Sequence, residues 1–468
     1  MFKGLNAIRM GGREVLPLIE GGKGVSATNH ASSGAWAAAG GIGTVSAVNA
    51  DSYDPEGKIV PQVYRELTRR GRHEELIDYA VAGAVDQVKR AWEIASGRGA
   101  LNINVLWEMG GAQRVLQGVL ERTRGLVNGV TCGAGMPYKL SEIAAHYGVH
   151  YYPIISSARA FRALWKRAYS KAAEWLGAVV YEDPWLAGGH NGLSNAEDPR
   201  QPQDPYPRVR ELRSVMRESG ISDDVPIIMA GGVWYLREWE HWIGNPELGT
   251  IAFQFGTRPL LTQESPIPQV WKDKLRTLSK GDILLHQFSP TGFYSSAIRN
   301  TYLRNLEARS ERQVAFSMEA AGDHQFALDV GVGKGRAFWV TRDDLIRARE
   351  WAGQGYTEAL KTPDNTLVFV TPEEKKVIRK DQADCMGCLS QCQFSAWADN
   401  EKNSTGRLAD PRSFCIQKTL QDIAHGGDPE HNLAFAGHAA YRFAEDPFYS
   451  NGFTPTVKQL VERIQTGD

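Results

Sequence analysis

Residues 226–233 read Pro226-Ile-Ile-Met-Ala-Gly-Gly-Val233, and residues 250–258 read Thr250-Ile-Ala-Phe-Gln-Phe-Gly-Thr-Arg258. Each is a short, nearly unbroken apolar run closed by a glycine turn. That is the pattern of a strand buried on both faces, as in a parallel sheet. Working back towards the N-terminus, six more runs of the same kind occur: Val15–Ile19, Ile42–Ala47, Ile103–Trp107, Leu126–Thr131, His150–Ile155 and Ala178–Glu182. Helical stretches lie between them. Val60–Ser96 is long enough for more than one helix, and Arg159–Trp175 spaces Phe161, Leu164, Trp165, Ala168 and Trp175 along one face. Alternating strands and helices over about 250 residues match the size of a (β/α)8 barrel.

A doubly wound sheet has the same alternation, so the loops must decide between the two. Glycine clusters follow the first strand (Gly21-Gly-Lys-Gly24), the fourth (Cys132-Gly-Ala-Gly135) and the sixth (Gly188-Gly-His190), as well as the seventh and eighth. An open sheet binds its ligand at one switch point, whereas a barrel gathers every such loop at one face. The sequence therefore predicts an α/β fold: a (β/α)8 TIM barrel followed by a smaller, irregular C-terminal domain. The boundary is placed at 309, with 1–309 as barrel plus helical excursion and 310–468 as second domain or lid. The excursion follows Ser289-Pro-Thr-Gly292, with Ala297, Ile298, Tyr302, Leu303 and Leu306 at helical spacing.

Composition narrows the function. Fifty-three Lys and Arg balance 54 Asp and Glu, leaving a net charge of −1, so no basic field is present to bind nucleic acid or an anionic membrane. A small-molecule substrate fits better. No run is long or apolar enough to span a bilayer and the start lacks a secretory core, so the expected location is cytoplasmic. Oligomeric state is left open. Glycine is over-represented, 48 of 468 residues against about 7% in an average protein, which means backbone brought close to something at many places.

Three clusters carry chemistry. Loops after barrel strands seven and eight commonly bind phosphate through backbone N–H groups, which makes Gly231, Gly232, Gly256 and Thr257 a candidate anion site; alone, each loop is an ordinary tight turn. His190 stands between glycines after strand six, an unscreened imidazole suited to move a proton near neutral pH or to touch a cofactor. Finally, four of the five cysteines fall at 385, 388, 392 and 415, spaced C-x2-C-x3-C-x22-C. In a cytosolic chain this clustering points to metal rather than disulfides, as Zn²⁺ in an all-thiolate site or as a [4Fe–4S] cluster, with iron–sulfur favoured. For zinc, His425, His431 or His438 could replace one thiolate. The fifth cysteine, Cys132, either faces a cofactor after strand four or is a small buried residue.

Taken in order, Pro17-Leu-Ile-Glu-Gly-Gly-Lys-Gly-Val-Ser26, Ala39-Gly-Gly-Ile-Gly-Thr-Val-Ser46, Ala187-Gly-Gly-His-Asn-Gly192, the Ala230-Gly-Gly-Val233 turn and Phe255-Gly-Thr-Arg258 resemble the nitronate monooxygenase (2-nitropropane dioxygenase) family and its relatives, the FMN-dependent enoyl-acyl-carrier-protein reductases. The resemblance spans roughly residues 10–305. It implies an FMN-dependent oxidoreductase with the flavin over the strand C-termini. Gly21, Gly22 and Lys23 would lie by the ring and Gly188 and Gly189 by the ribityl chain, with Gly231, Gly232, Gly256 and Thr257 on the phosphate and His190 as base towards a nitroalkane. This chain has Leu186 where the family commonly has an acidic residue, which leaves Glu182 or Asp183 to take over any role of that carboxylate. It has Lys23 where methionine is usual, so Lys23 either stabilises reduced flavin or points to solvent. The Cys-Met-Gly-Cys-x3-Cys run resembles the cluster motif of iron–sulfur relatives of old yellow enzyme, which implies an external electron donor; Cys415 lies further away than the fourth cysteine does there. The expected activity is oxidation of a nitronate with O2. The alternatives are a reductase of activated alkenes fed by NAD(P)H or an iron–sulfur cluster, and a non-catalytic zinc-stapled barrel subunit.

Overall fold

The computed structural model describes residues 5–333 and 337–468. Its centre is a closed barrel of eight parallel strands: β1 (Leu18–Glu20), β2 (Ile42–Ser46), β3 (Ala100–Leu106), β4 (Gly129–Gly133), β5 (His150–Ile155), β6 (Val179–Glu182), β7 (Ile227–Ala230) and β8 (Ile251–Phe255). Neighbours in sequence are neighbours in space, and β8 pairs with β1 to close the ring, Phe253 opposite Leu18. All eight expected strands are present, and β5 has the expected limits. The first lies later than expected because Arg13–Val15 pairs instead with Ile8–Met10. That hairpin sends Met10 and Val15 against Ile19, Ile42, Ala100 and Ala178, plugging the barrel at the starts of its strands.

Helices wrap the outside. Between β1 and β2, α1 (His30–Ala38) begins at Asn29, whose side chain accepts from the Ala31 and Ser32 N–H groups in a capping box. It lies so close to β2 that a Cβ on Gly43 would sit 1.8 Å from the Ser33 carbonyl oxygen. The stretch 60–96 forms one long helix, α2 (Arg69–Ala95), capped by Thr68, rather than several. Its buried face of Leu76, Ile77, Ala80, Ala84, Val88 and Ala91 recurs without interruption and gives no reason to break.

Beyond β8 the excursion differs from expectation. Ala297 and Ile298 belong to a strand, Ser295–Ile298, paired with Ile283–His286; the helix starts only at Thr301, capped by the Asn300 side chain on the Leu303 N–H at 3.0 Å. The same strand pairs Ser295 with His190 and so holds the β6 loop in place.

The C-terminal part builds a small antiparallel sheet (Gln313–Ala315, Thr366–Val370, Glu358–Lys361) with its own core around Val314, Leu345 and Phe369. It then returns to the barrel. Helix α3 (Pro372–Ala383) leads into the cysteine loop, and α4 (Ile416–Ala424) follows. Residues 434–438 cross the barrel mouth, and the last helix, Val457–Ile464, packs on α1. Among the described residues, no helix is long and apolar enough to cross a membrane.

Candidate active site

The strand C-termini and the returning tail enclose a cavity of about 220 Å³. Gly22, Lys23, Gly188, Gly189 and His190 line it, and so do Gly256 and Thr257. A second niche of about 60 Å³ adjoins it, bounded by Gly231, Gly232, Gly256, Thr257 and Arg258. Of the nine cofactor residues expected from sequence, eight therefore border one of the two spaces. Gly21 borders neither space, and a Cβ there would come within 3.2 Å of the Gln254 side chain.

The niche suits an anion. Gly231 and Gly232 turn the chain at φ of +90° and +77°, and a Cβ on Gly232 would come within 2.7 Å of Leu186. A Cβ on Gly256 would meet nothing within 4 Å, so backbone there can approach a bound group. Arg258 is buried against this space. Its Nη1 donates to the Trp234 carbonyl at 2.7 Å, while Nη2 has no hydrogen-bond partner and stands 3.7 Å from Asp446. A buried guanidinium with an unmatched N–H is costly unless an acceptor is supplied. Sequence reading stopped one residue short of it.

The tail completes the niche. The Gly437 N–H donates to Thr257 Oγ1 at 2.8 Å, and the His438 N–H to the Leu186 carbonyl at 3.0 Å. Phe435 and Ala436 border the main cavity. Among the tail aromatics, Phe443, Phe448 and Tyr449 pack around Trp234, whereas Phe435 stands edge-on to His190 with ring centroids 5.5 Å apart. Nothing in the pattern of Ala434-Phe-Ala-Gly-His438 marks it as part of a site.

His190 stands on the cavity wall. Its Nε2 lies 2.6 Å from Ser289 Oγ, which in turn lies 2.8 Å from Thr291 Oγ1, so imidazole and two hydroxyls form a chain along the cavity wall. Burial pushes its pKa down to about 4, which keeps the ring neutral at physiological pH and able to accept a proton. Next to it Glu182, at the end of β6, is pushed up to about 8 by burial and then by Asp183. Asp183 does not face the cavity. It is raised to about 6 by burial, and its carboxylate ties the turn by accepting from the Trp185 and Leu186 N–H groups at 2.9 Å each. Glu182 is thus the carboxyl group that reaches the site in place of the one missing at Leu186.

Lys23 faces the cavity rather than solvent. Its Nζ donates to the Gly21 carbonyl at 2.8 Å and stands 3.8 Å from the wholly buried Glu20. Burial lowers the lysine and raises the glutamate, and each partner pulls the other back towards its charged form. Cys132 is packed among barrel core residues, its thiol pushed up by burial alone, and is not part of the wall. Asn104, Thr131 and Gln254, polar residues near barrel strand ends, line the cavity and were not anticipated.

The whole arrangement, from Arg13 to the last helix, matches one family model: residues 13–466 fit that of nitronate monooxygenase. The chain belongs to the nitronate monooxygenase family. As a member it is an FMN-dependent oxidoreductase, which replaces the expectation of a non-catalytic zinc-stapled subunit. No curated protein matches it. Similar solved structures include FabK from Thermotoga maritima, 16% identical over 96% of this chain and 92% of that one with a TM-score of 0.51. The enoyl reductase domain of MlnA from Bacillus amyloliquefaciens is 11% identical over 96% and 94%, also with a TM-score of 0.51. A nitroalkane oxidase from Streptomyces ansochromogenes is 19% identical over 62% and 78%, with a TM-score of 0.43. At these identities the likeness is one of fold.

One of the clustered cysteines of this nitronate monooxygenase family member reaches the same mouth. Cys388 borders the cavity beside Leu389, Ile416 and Gln417. Among the described residues, no group of three or more His, Cys, Asp or Glu is spaced to hold a metal ion. The histidines considered as zinc ligands have other partners: His425 bonds Asp51 at 2.8 Å, His431 bonds Asp428 at 2.7 Å, and His438 lies 3.2 Å from Ser296 Oγ. Preformed zinc coordination by these residues is therefore corrected.

Proposed function

We propose that the protein oxidises a small nitronate or its parent nitroalkane with O2, using His190 as base. The observation that carries this reading is the neutral imidazole of His190 held by Ser289 at the wall of the cavity. FMN, when bound, accepts electrons from the substrate and passes them to dioxygen. Its phosphate would lie against Gly231, Gly232, Gly256, Thr257 and Arg258, where the unmatched guanidinium N–H fits an anion. Its ring would lie by Gly22 and Lys23. His190 takes the proton from the carbon bearing the nitro group, and Ser289 and Thr291 hold the ring in one orientation while that proton moves. Lys23 carries more N–H donors than its bond to Gly21 uses, in reach of negative charge developing in the cavity. Oxygen uptake on adding the parent nitroalkane, abolished in His190→Asn but retained with the ready-made nitronate, tests the reading. Flavin-replete protein that takes up no oxygen with any small nitronate would reject it.

A second reading is favoured by the apolar wall of Leu389, Ile416 and Leu420 with Cys388 next to it. There the flavin would reduce an activated alkene, with electrons from NAD(P)H or from an iron–sulfur centre. Anaerobic reoxidation of the reduced protein by an enoyl thioester, with no oxygen uptake on nitronates, would select it.

A further inference from the structure

The four clustered cysteines converge although 30 residues separate the first from the last in sequence. Cys385, Cys388 and Cys392 are buried in one cluster with Trp397, Phe414 and Ile416, and Cys415 packs against it at the rim. Each of Cys388 and Cys415 lies within electrostatic reach of the other three or of two of them. Such proximity alone would describe a thiol-rich core.

The donors around the sulfurs say more. Cys385 Sγ accepts from the Gly387 N–H at 3.4 Å and from Ser395 Oγ at 3.1 Å. A neutral buried thiol has little need of an N–H donor, whereas a thiolate bound to metal does, and hydrogen bonds to sulfur are a principal control on such centres. Cys415 stands at the N-cap position of α4.

The loop is fixed from outside by its carbonyl groups. Arg72 Nε donates to the Cys385 carbonyl at 3.2 Å, His73 Nδ1 to that of Gly387 at 2.9 Å and the Gly110 N–H to that of Cys388 at 2.9 Å. With these carbonyls turned out to α2 and the β3 loop, the Gly387 amide is left facing Cys385 Sγ. Gly387 holds this turn at φ +67°, and a Cβ there would come within 2.7 Å of Trp397.

Size discriminates between centres. Four sulfurs around one zinc stand about 3.8 Å apart, from a Zn–S bond of ~2.3 Å. Among the described residues no group of three or more His, Cys, Asp or Glu is placed to hold a single metal ion. A cuboidal cluster instead binds its four thiolates at separate corners, one to each iron.

We propose that Cys385, Cys388, Cys392 and Cys415 bind a [4Fe–4S] cluster at the wall of the flavin cavity, and that it carries single electrons from an external one-electron donor to the flavin. Two donor molecules each lose one electron, and the flavin gains two electrons and two protons. The proposal rests on the FMN reading for its acceptor only; the cluster itself stands on the cysteines.

Protein purified without oxygen should contain about four iron and four acid-labile sulfide per chain, with an iron–sulfur electron paramagnetic resonance signal after dithionite. Cys415→Ser, at the rim and least disruptive to folding, should lower the iron and sulfide content, whereas Cys132→Ser should not. Reduction of bound flavin by methyl viologen radical should slow on the order of tenfold in Cys415→Ser at equal flavin content. One zinc per chain without sulfide, or neither metal, would overturn the cluster while leaving bound FMN untouched. Iron and sulfide without releasable flavin would instead overturn the FMN reading. Equal rates of flavin reduction in both proteins would remove the electron route.

Discussion

His190 Nε2 and Ser289 Oγ meet at 2.6 Å across the join between the β6 loop and the excursion strand. Because Ser295 pairs with His190 in the same small sheet, backbone and side chain fix the imidazole together.

Replacing His190 by Asn should reduce turnover of the parent nitroalkane by about 10²–10⁴-fold, the usual range for a proton-transfer group, with flavin content unchanged. Ser289→Ala should cost less, and should alter the acid limb of the rate profile more than the affinity for FMN. In the parent protein that limb should fall near pH 4, since the ring must be neutral to act as base and burial holds it so down to that value. A limb near 6.5 would show an imidazole open to water.

Glu182 is expected to stay protonated through neutrality and to ionise near pH 8. Glu182→Gln mimics the neutral carboxyl group. Below pH 7 it should be close to the parent in kcat/KM, and the change in kcat/KM or bound-flavin absorbance near pH 8 should disappear. A large loss at pH 6 would show that the carboxyl hydrogen itself is used.

In the niche, Gly231→Ala places a Cβ where φ is +90°, at a backbone cost of about 1–2 kcal/mol. Thr257→Val removes the acceptor for Gly437, and losing one such bond is worth about 1 kcal/mol. Both should weaken FMN binding, by about tenfold for the glycine change, measured as fluorescence quenching when flavin is titrated into apoprotein. Circular dichroism should be unchanged.

His425 docks α4 on the barrel by donating to Asp51, which raises its pKa against the opposing effect of burial; Asp51 also accepts from Ser26. A raised histidine stabilises fully below its unfolded value near 6.5 and stops doing so as pH rises through the folded value. The stability advantage of the parent over His425→Gln, about 1 kcal/mol for a partly exposed pair, should therefore be present at pH 6 and fade by pH 9 in denaturant titrations. An advantage growing with pH would contradict the assignment.

The barrel could be read from sequence because its strands are apolar runs punctuated by glycine, and burial on both faces leaves few other readings for Ile227–Ala230 or Ile251–Phe255. Ala297 and Ile298 were misassigned because two adjacent apolar residues fit a helical phase as well as a strand; only pairing with Gly189–His190 decides. The long α2 was divided in advance because nothing local states how far an amphipathic pattern continues. Lys23 could not be oriented from its neighbours, since what turns it inward is Glu20, buried on the preceding strand. Arg258 and Phe435 show the general limit: their roles come from contacts across the fold, which leave no periodic trace.

The strap from Ala434 to His438 sets an order of events in the life of the molecule. Its N–H groups bond Thr257, 180 positions earlier, and the β6 loop. On the ribosome, the barrel emerges long before these donors do. The niche is unfinished throughout that interval, and its wall closes only once synthesis has passed residue 438.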